Sequence, residues 1–272
     1  MRVDAHHHVW RLDRGDYGWL TPDLPIHCNY DLADLRPLLG AISATVLVQA
    51  APTEAETQFL LDTARGSGGL VRGVVGWTNL AAPDAAVRVA RLARTKLLRG
   101  LRPMLQDIAE TEWILRPDVQ PGLIEMAARG LVFDALIQPR HLPVLLALAR
   151  WHPGLRIVVD HAAKPNIAGG EFQPWADDIA RVARETPAVC KLSGLITEAA
   201  ANWTTADLQP YVRHLLDIFG PRRLLWGSDW PVVNLAGGYV RWREATTELL
   251  QTLPAADRDA VLGGTAATVY GL

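Results

Sequence analysis

Eight short runs rich in β-forming residues recur along the chain, and stretches with helical spacing separate most of them. The runs are RVDAHHHVW (2–10), ATVLVQA (44–50), LVRGVVGWTN (70–79), LLRGLRPML (97–105), LVFDALIQ (131–138), RIVVDHAAK (156–164), AVCKLSGL (188–195) and RRLLWGSDWPV (222–232). Intervening segments such as TEAETQFLLDTARG, PRHLPVLLALARWH and TTADLQPYVRHLLDIFG carry apolar residues three and four apart. Several open on Pro, Thr or Asp and close on Gly, the usual helix punctuation. Eight strands alternating with helices over about 250 residues predict a (β/α)8 barrel. The competing doubly wound open sheet has fewer strands and often a glycine-rich phosphate loop after the first. Here the first run leads into His-Val-Trp instead.

No linker or low-complexity stretch divides the chain, so residues 1–272 read as a single barrel domain. Residues 11–43 contain RGDYGWLTPDLP and read as an extended first βα loop over the barrel mouth. Two segments, GYVRWREATTELLQTL and PAADRDAVLGGTAATVY, follow the eighth run, which predicts a distorted barrel with an extra C-terminal helix.

Composition narrows the function classes. The 272 residues are 49% hydrophobic and 21% charged, as in soluble globular chains. A net charge of -2 supplies no basic field for nucleic acid or an anionic membrane. No stretch reaches the roughly 18 apolar residues of a membrane span, and the N-terminus has no secretory apolar region. Cys28 and Cys190 give neither zinc spacing nor a disulfide framework, so a reducing cytoplasm is expected. Ten tryptophans are an unusual number; Trp10, Trp19, Trp77, Trp113, Trp226 and Trp230 sit beside polar residues and either pack the core or wall a pocket.

In a barrel, catalytic groups come from the C-terminal ends of strands. The first run ends with His6 and His8 on one face and His7 on the other. Two imidazoles so placed can hold one metal or polarise one carbonyl. The sixth ends in VVDHAAKP, where the Asp160-His161 pair is costly to bury unless it is used or well paired. The eighth ends in LLWGSDWPV, where Asp229 suits a general base acting on water; the competing reading is a turn aspartate before Pro231. Arg102 ends the fourth run and can grip a carboxylate or a hydroxyl. Lys191 lies inside the apolar seventh run, where an idle lysine is rare. Gln49 ends the second. No P-loop, GxSxG elbow or dinucleotide fingerprint is present.

With HxH on strand one, His on strand six and Asp on strand eight, the chain resembles the amidohydrolase superfamily. DAHHHVW, RGDYGWL, GLRPMLQD, VVDHAAKP, KLSGLITEA and LLWGSDWPV are similar, in order and over essentially the whole chain, to its lactonase group. That group includes L-fuconolactonases, L-rhamnonolactonases and pyrone-dicarboxylate lactonases. Binuclear members carry a bridging Lys or Glu at strand four and a further His at strand five. Here strand four offers Arg102 and LVFDALIQ has no histidine. The resemblance therefore implies either one divalent ion, zinc, on His6, His8, His161 and Asp229, or catalysis without a metal. Pyrone-type members use several arginines for two carboxylates; Arg102 alone favours a neutral sugar lactone.

The expectation is lactone hydrolysis. Asp229 takes a proton from water and returns it to the leaving oxygen; His6, His8 and His161 polarise the carbonyl, directly or through an ion. Lys191, Arg102 and Gln49 hold substrate, and Trp10 and Trp113 wall the sugar face. Two alternatives stand beside it. One is a zinc-dependent decarboxylase on the same residues, and the other a binding protein on an inherited barrel.

Overall fold

A computed structural model describes residues 1–272. The eight strands are β1 Val3–His7, β2 Ala44–Val48, β3 Val71–Gly76, β4 Leu98–Leu101, β5 Val132–Ala135, β6 Arg156–Val159, β7 Val189–Leu192 and β8 Leu224–Trp226. Each falls inside one of the eight runs. They form one parallel sheet in sequential order, β1 to β8. The seam between β8 and β1 is closed by the segment after β8: His8 N–H donates to the Trp230 carbonyl and Asp229 N–H to the His6 carbonyl, both at 2.7 Å. This is a nearly closed (β/α)8 barrel.

Helices α1 Leu32–Leu35, α2 Glu54–Gly66, α3 Ala85–Leu92, α4 Gln120–Ala128, α5 Leu142–Trp151, α6 Trp175–Glu185, α7 Thr205–Phe219 and α8 Gly238–Leu249 follow the strands. The last predicted helix is broken into α9 Ala255–Asp259, a π turn over Ala260–Gly264 and α10 Thr265–Tyr270. That break lets Tyr270 enter the barrel floor.

Two cores result from strand alternation. Leu47, Val74, Phe133, Val159, Cys190 and Trp226 face the helices. Val46, Val75, Val132, Val158 and Leu225 face the barrel axis with Ala266 and Tyr270. Strand β1 departs from strict alternation. Asp4 pairs with Thr45 and His7 with Leu47, three residue steps (4 to 7) against two (45 to 47), so β1 carries a bulge. Val3 and Ala5 belong to the axial core before it. After it, His6 and His8 turn toward the axis and His7 points out, where its Nε2 meets Thr45 Oγ1 at 2.9 Å.

The sixth run is only half a strand. β6 stops at Val159, and His161, Ala162, Ala163 and Lys164 have φ of 52, 52, 58 and 54°, one turn of left-handed backbone. Non-glycine residues adopt this conformation at a cost of roughly 1 kcal/mol or more each.

Candidate active site

A cavity of about 330 Å³ opens at the C-terminal ends of the strands. Its polar lining includes His8, Arg102, His161, Lys164, Glu198 and Asp229, and Trp19 and Leu24 of the long first loop form part of its apolar wall. Side chains from the ends of β1, β4, β6 and β8 thus converge on one space. Asp229 is itself left-handed, with φ 58°. Its Oδ1 lies 3.2 Å from His8 Nε2, 3.6 Å from His6 Nε2 and 3.9 Å from His161 Nε2. His6, His161 and Asp229 bring their ligating atoms within 4.8 Å of one another.

A hydrogen-bond partner fixes one proton position, on His8. His8 Nδ1 lies 2.8 Å from the Val48 carbonyl, which only accepts, so Nδ1 carries the proton. Both His6 nitrogens face cations that only donate: Lys191 Nζ lies 3.0 Å from Nδ1 and Arg102 Nη1 lies 3.3 Å from Nε2. His6 Nε2 lies 3.2 Å from His8 Nε2. His161 Nδ1 lies 2.9 Å from Ser193 Oγ. Gly194 leaves room for that ring: a Cβ there would lie 2.5 Å from His161 Nδ1.

Beneath the histidines lies a buried charge network. Lys191 Nζ pairs with Asp134 Oδ2 at 2.5 Å and Asp160 Oδ1 at 2.9 Å. Arg102 Nη1 reaches Asp160 Oδ2 at 3.2 Å, and the Tyr270 hydroxyl donates to Asp134 Oδ2 at 2.8 Å. Asp160 is thus well paired, as its burial requires.

Burial sets the histidines' charge. It pushes His161 down to about 4 and His6 well below its ordinary value, so both are neutral at pH 7. For Asp229 burial alone would raise the value; His161, the contact with His8 Nε2 and the His6 ring outweigh it and hold the carboxyl below the usual range. Asp160 follows the same pattern, with Lys191 the largest opposing influence. Asp134 is pushed up to about 6 by burial, against the pull of Lys191.

Four expected contact residues lie elsewhere. Lys191 is fully buried below His6, held by two carboxylates, and does not line the cavity. Gln49 is buried and clamps Arg102: its Nε2 donates to the Arg102 carbonyl at 2.7 Å and its backbone carbonyl accepts from the guanidinium. Trp10 is fully buried, donates to the Cys28 carbonyl at 2.8 Å, and packs edge-on against Trp19 at 5.4 Å. Trp19, not Trp10, faces the cavity. Trp113 lines a neighbouring groove. His6 too is enclosed, behind the lining. Lys164 and Glu198, an ion pair at 3.3 Å on the cavity wall, were not anticipated. The one available signal was Lys164 itself, one of only three lysines, directly after the VVDH motif.

Known proteins resemble this chain over its whole length. The chain is 44% identical to an L-fucono-1,5-lactonase of Burkholderia ambifaria, covering 99% of this chain and 95% of that protein. It is 38% identical to an L-fucono-1,5-lactonase of Burkholderia multivorans, covering 100% and 96%. A crystal structure of a zinc-bound amidohydrolase from Burkholderia multivorans superposes with a TM-score of 0.92 at 37% identity, covering 100% of this chain and 99% of that one. The amidohydrolase family model matches residues 3–272, and the chain belongs to that family.

Proposed function

We propose that this protein hydrolyses a sugar-acid lactone, an L-fucono-1,5-lactone-like aldonolactone, to the free acid. The observation that carries the reading is Asp229: an ionised, left-handed carboxylate at the end of the eighth strand, facing a cavity with a neutral His161 and a clamped guanidinium. It accompanies full-length similarity to two lactonases of that specificity.

The cavity binds the lactone with its carbonyl toward Arg102 and His161. Asp229 accepts a proton from water as the water oxygen attacks the carbonyl carbon. Arg102, held by Gln49 and Asp160, and His161, held by Ser193, face the oxygen on which negative charge develops. As the intermediate collapses, the ring C–O bond breaks and the proton held by Asp229 passes to the leaving ring oxygen. Lys164 and Glu198 meet the substrate hydroxyls. Lys191 acts through His6, holding the ring at Nδ1 from below the cavity.

The family implies a divalent ion, and the donors fit one: two imidazoles and a carboxylate leave a coordination position open for water. His6 would join such a set through Nε2, with its proton on Nδ1, where Asp160 Oδ1 lies 3.7 Å away. Bound there, an ion would supply Lewis acidity to the carbonyl. Acid release from L-fucono-1,5-lactone, followed with a pH indicator against spontaneous hydrolysis, tests the reading. No acceleration on any aldonolactone, or carbon dioxide release from aromatic acids instead, would replace it with the decarboxylase.

A further inference from the structure

A second cavity, of about 530 Å³, adjoins the first and shares Trp19, Met104 and Asp107 with it. Trp77 from the end of β3 and Trp113 from the loop after β4 complete its aromatic lining with Trp19. Both are only half-buried, in a chain whose core otherwise hides most of its tryptophans. The reaction at Asp229 uses neither of them.

Polar groups interrupt this aromatic surface. Asp16, Thr78, Asn79 and Asp107 also line it. Asp107 is exposed and forms no ion pair. Asp16 Oδ2 is held by Arg14 at 2.9 Å and by the Thr53 hydroxyl at 2.8 Å, and its Oδ1 is buried without a partner. Asn79 spends its side-chain oxygen on the Ala81 N–H at 3.0 Å, which leaves its amide N–H groups as donors.

This combination selects an occupant. An alkyl chain would use the indoles and leave Asp107, the unpaired Asp16 Oδ1 and the Asn79 amide beside it without partners. An anionic group would meet Asp16 and Asp107. A neutral sugar ring offers C–H faces to the indoles and hydroxyl donors to the carboxylates. Because the groove continues from the lactone cavity through Trp19 and Met104, its occupant is attached to the lactone. We propose that the groove is a subsite for a second neutral sugar ring, so that the substrate class extends to lactones of disaccharide acids. The inference rests on the lactonase reading.

The test measures binding and does not depend on turnover. Quenching of tryptophan fluorescence gives dissociation constants for gluconate and for lactobionate, cellobionate, maltobionate and melibionate. These four carry the gluconate core, the same charge and a second sugar ring. At least one is expected to bind about tenfold more tightly than gluconate. The gain should be lost in Trp113→Ala and in Trp77→Ala, with thermal melts confirming that both fold. Trp77→Ala should also leave kcat/KM on a monosaccharide lactone unchanged. The proposal is overturned when no disaccharide acid binds more tightly than gluconate, or when the gain survives both substitutions. Failure of the lactonase reading shows separately, as absence of hydrolysis of every monosaccharide lactone.

Discussion

Gly194→Ala separates the positioning of His161 from the chemistry of Asp229. Gly194 has φ +65°, and an added Cβ would lie 2.5 Å from His161 Nδ1, 2.7 Å from Cγ and 2.9 Å from Cβ. Normal contact is about 3.5 Å, so the ring must move by roughly 1 Å. Two stability costs follow. The left-handed backbone costs an alanine about 1 kcal/mol, and loss of the 2.9 Å contact between His161 Nδ1 and Ser193 Oγ costs about another. A displacement of that size at a catalytic group lowers kcat/KM by about 10–100-fold, or about 1.4–2.7 kcal/mol of transition-state stabilisation. Gly15→Ala is the control. Gly15 has φ +73° and nothing within 4 Å of its added Cβ. It carries the backbone cost of about 1 kcal/mol without displacing a catalytic group. Urea denaturation and indicator-based lactone kinetics on both variants give the comparison. Wild-type kcat/KM in Gly194→Ala, or an equal loss in Gly15→Ala, would refute the role given to His161.

Three further outcomes are expected. Ala163→Gly relieves a left-handed alanine at φ 58° while deleting a buried methyl, two effects of about 0.8–1 kcal/mol that nearly cancel. The buried helical Ala64→Gly adds its penalties to about 2 kcal/mol, so equal costs for the two substitutions would refute the left-handed turn. Lys191→Met strands Asp134 and Asp160 in the barrel interior and should cost about 3–5 kcal/mol in urea denaturation; a cost under about 1 kcal/mol would contradict the network. Because His161 is held near 4 and Asp229 lower still, kcat/KM should stay level from about pH 5 to 8 and fall below about 4 as His161 takes a proton. The same depression makes His161's contribution to stability complete above about 6.5 and lost as pH falls toward 4, since the unfolded chain binds that proton first. An acid limb near pH 6.5 would contradict the burial argument.

Periodicity located the barrel, because a buried parallel strand and an amphipathic helix each leave a local signature. All eight strands lie within the runs read from the sequence, although RIVVDHAAK runs five residues past its strand. Strand-end position brought His8, Arg102, His161 and Asp229 to one cavity and set His7 apart. What local pattern could not convey was depth along the barrel axis. Lys191 and Arg102 both read as inward cations, yet one lies below the histidines and the other beside them. Asp134, alone in an apolar run, marked the partner that Lys191 required. The left-handed turn carries no glycine or asparagine, so nothing local announces it; the surrounding packing imposes it. The placing of Trp10 on the cavity wall failed for a related reason. Which of Trp10 and Trp19 faces the cavity depends on how a long loop folds back, and that is settled by distant contacts.

Asp229 bears the central claim. Asp229→Asn preserves shape and removes the base, so proton release from L-fucono-1,5-lactone, compared between wild type and variant at pH 7, is the direct measurement. Hydrolysis well above the spontaneous rate is expected for the wild type, with a loss of about 10²–10⁴-fold in the variant and an unchanged melting temperature. Equal rates for the two proteins, or a wild type no faster than the spontaneous reaction, would contradict that claim.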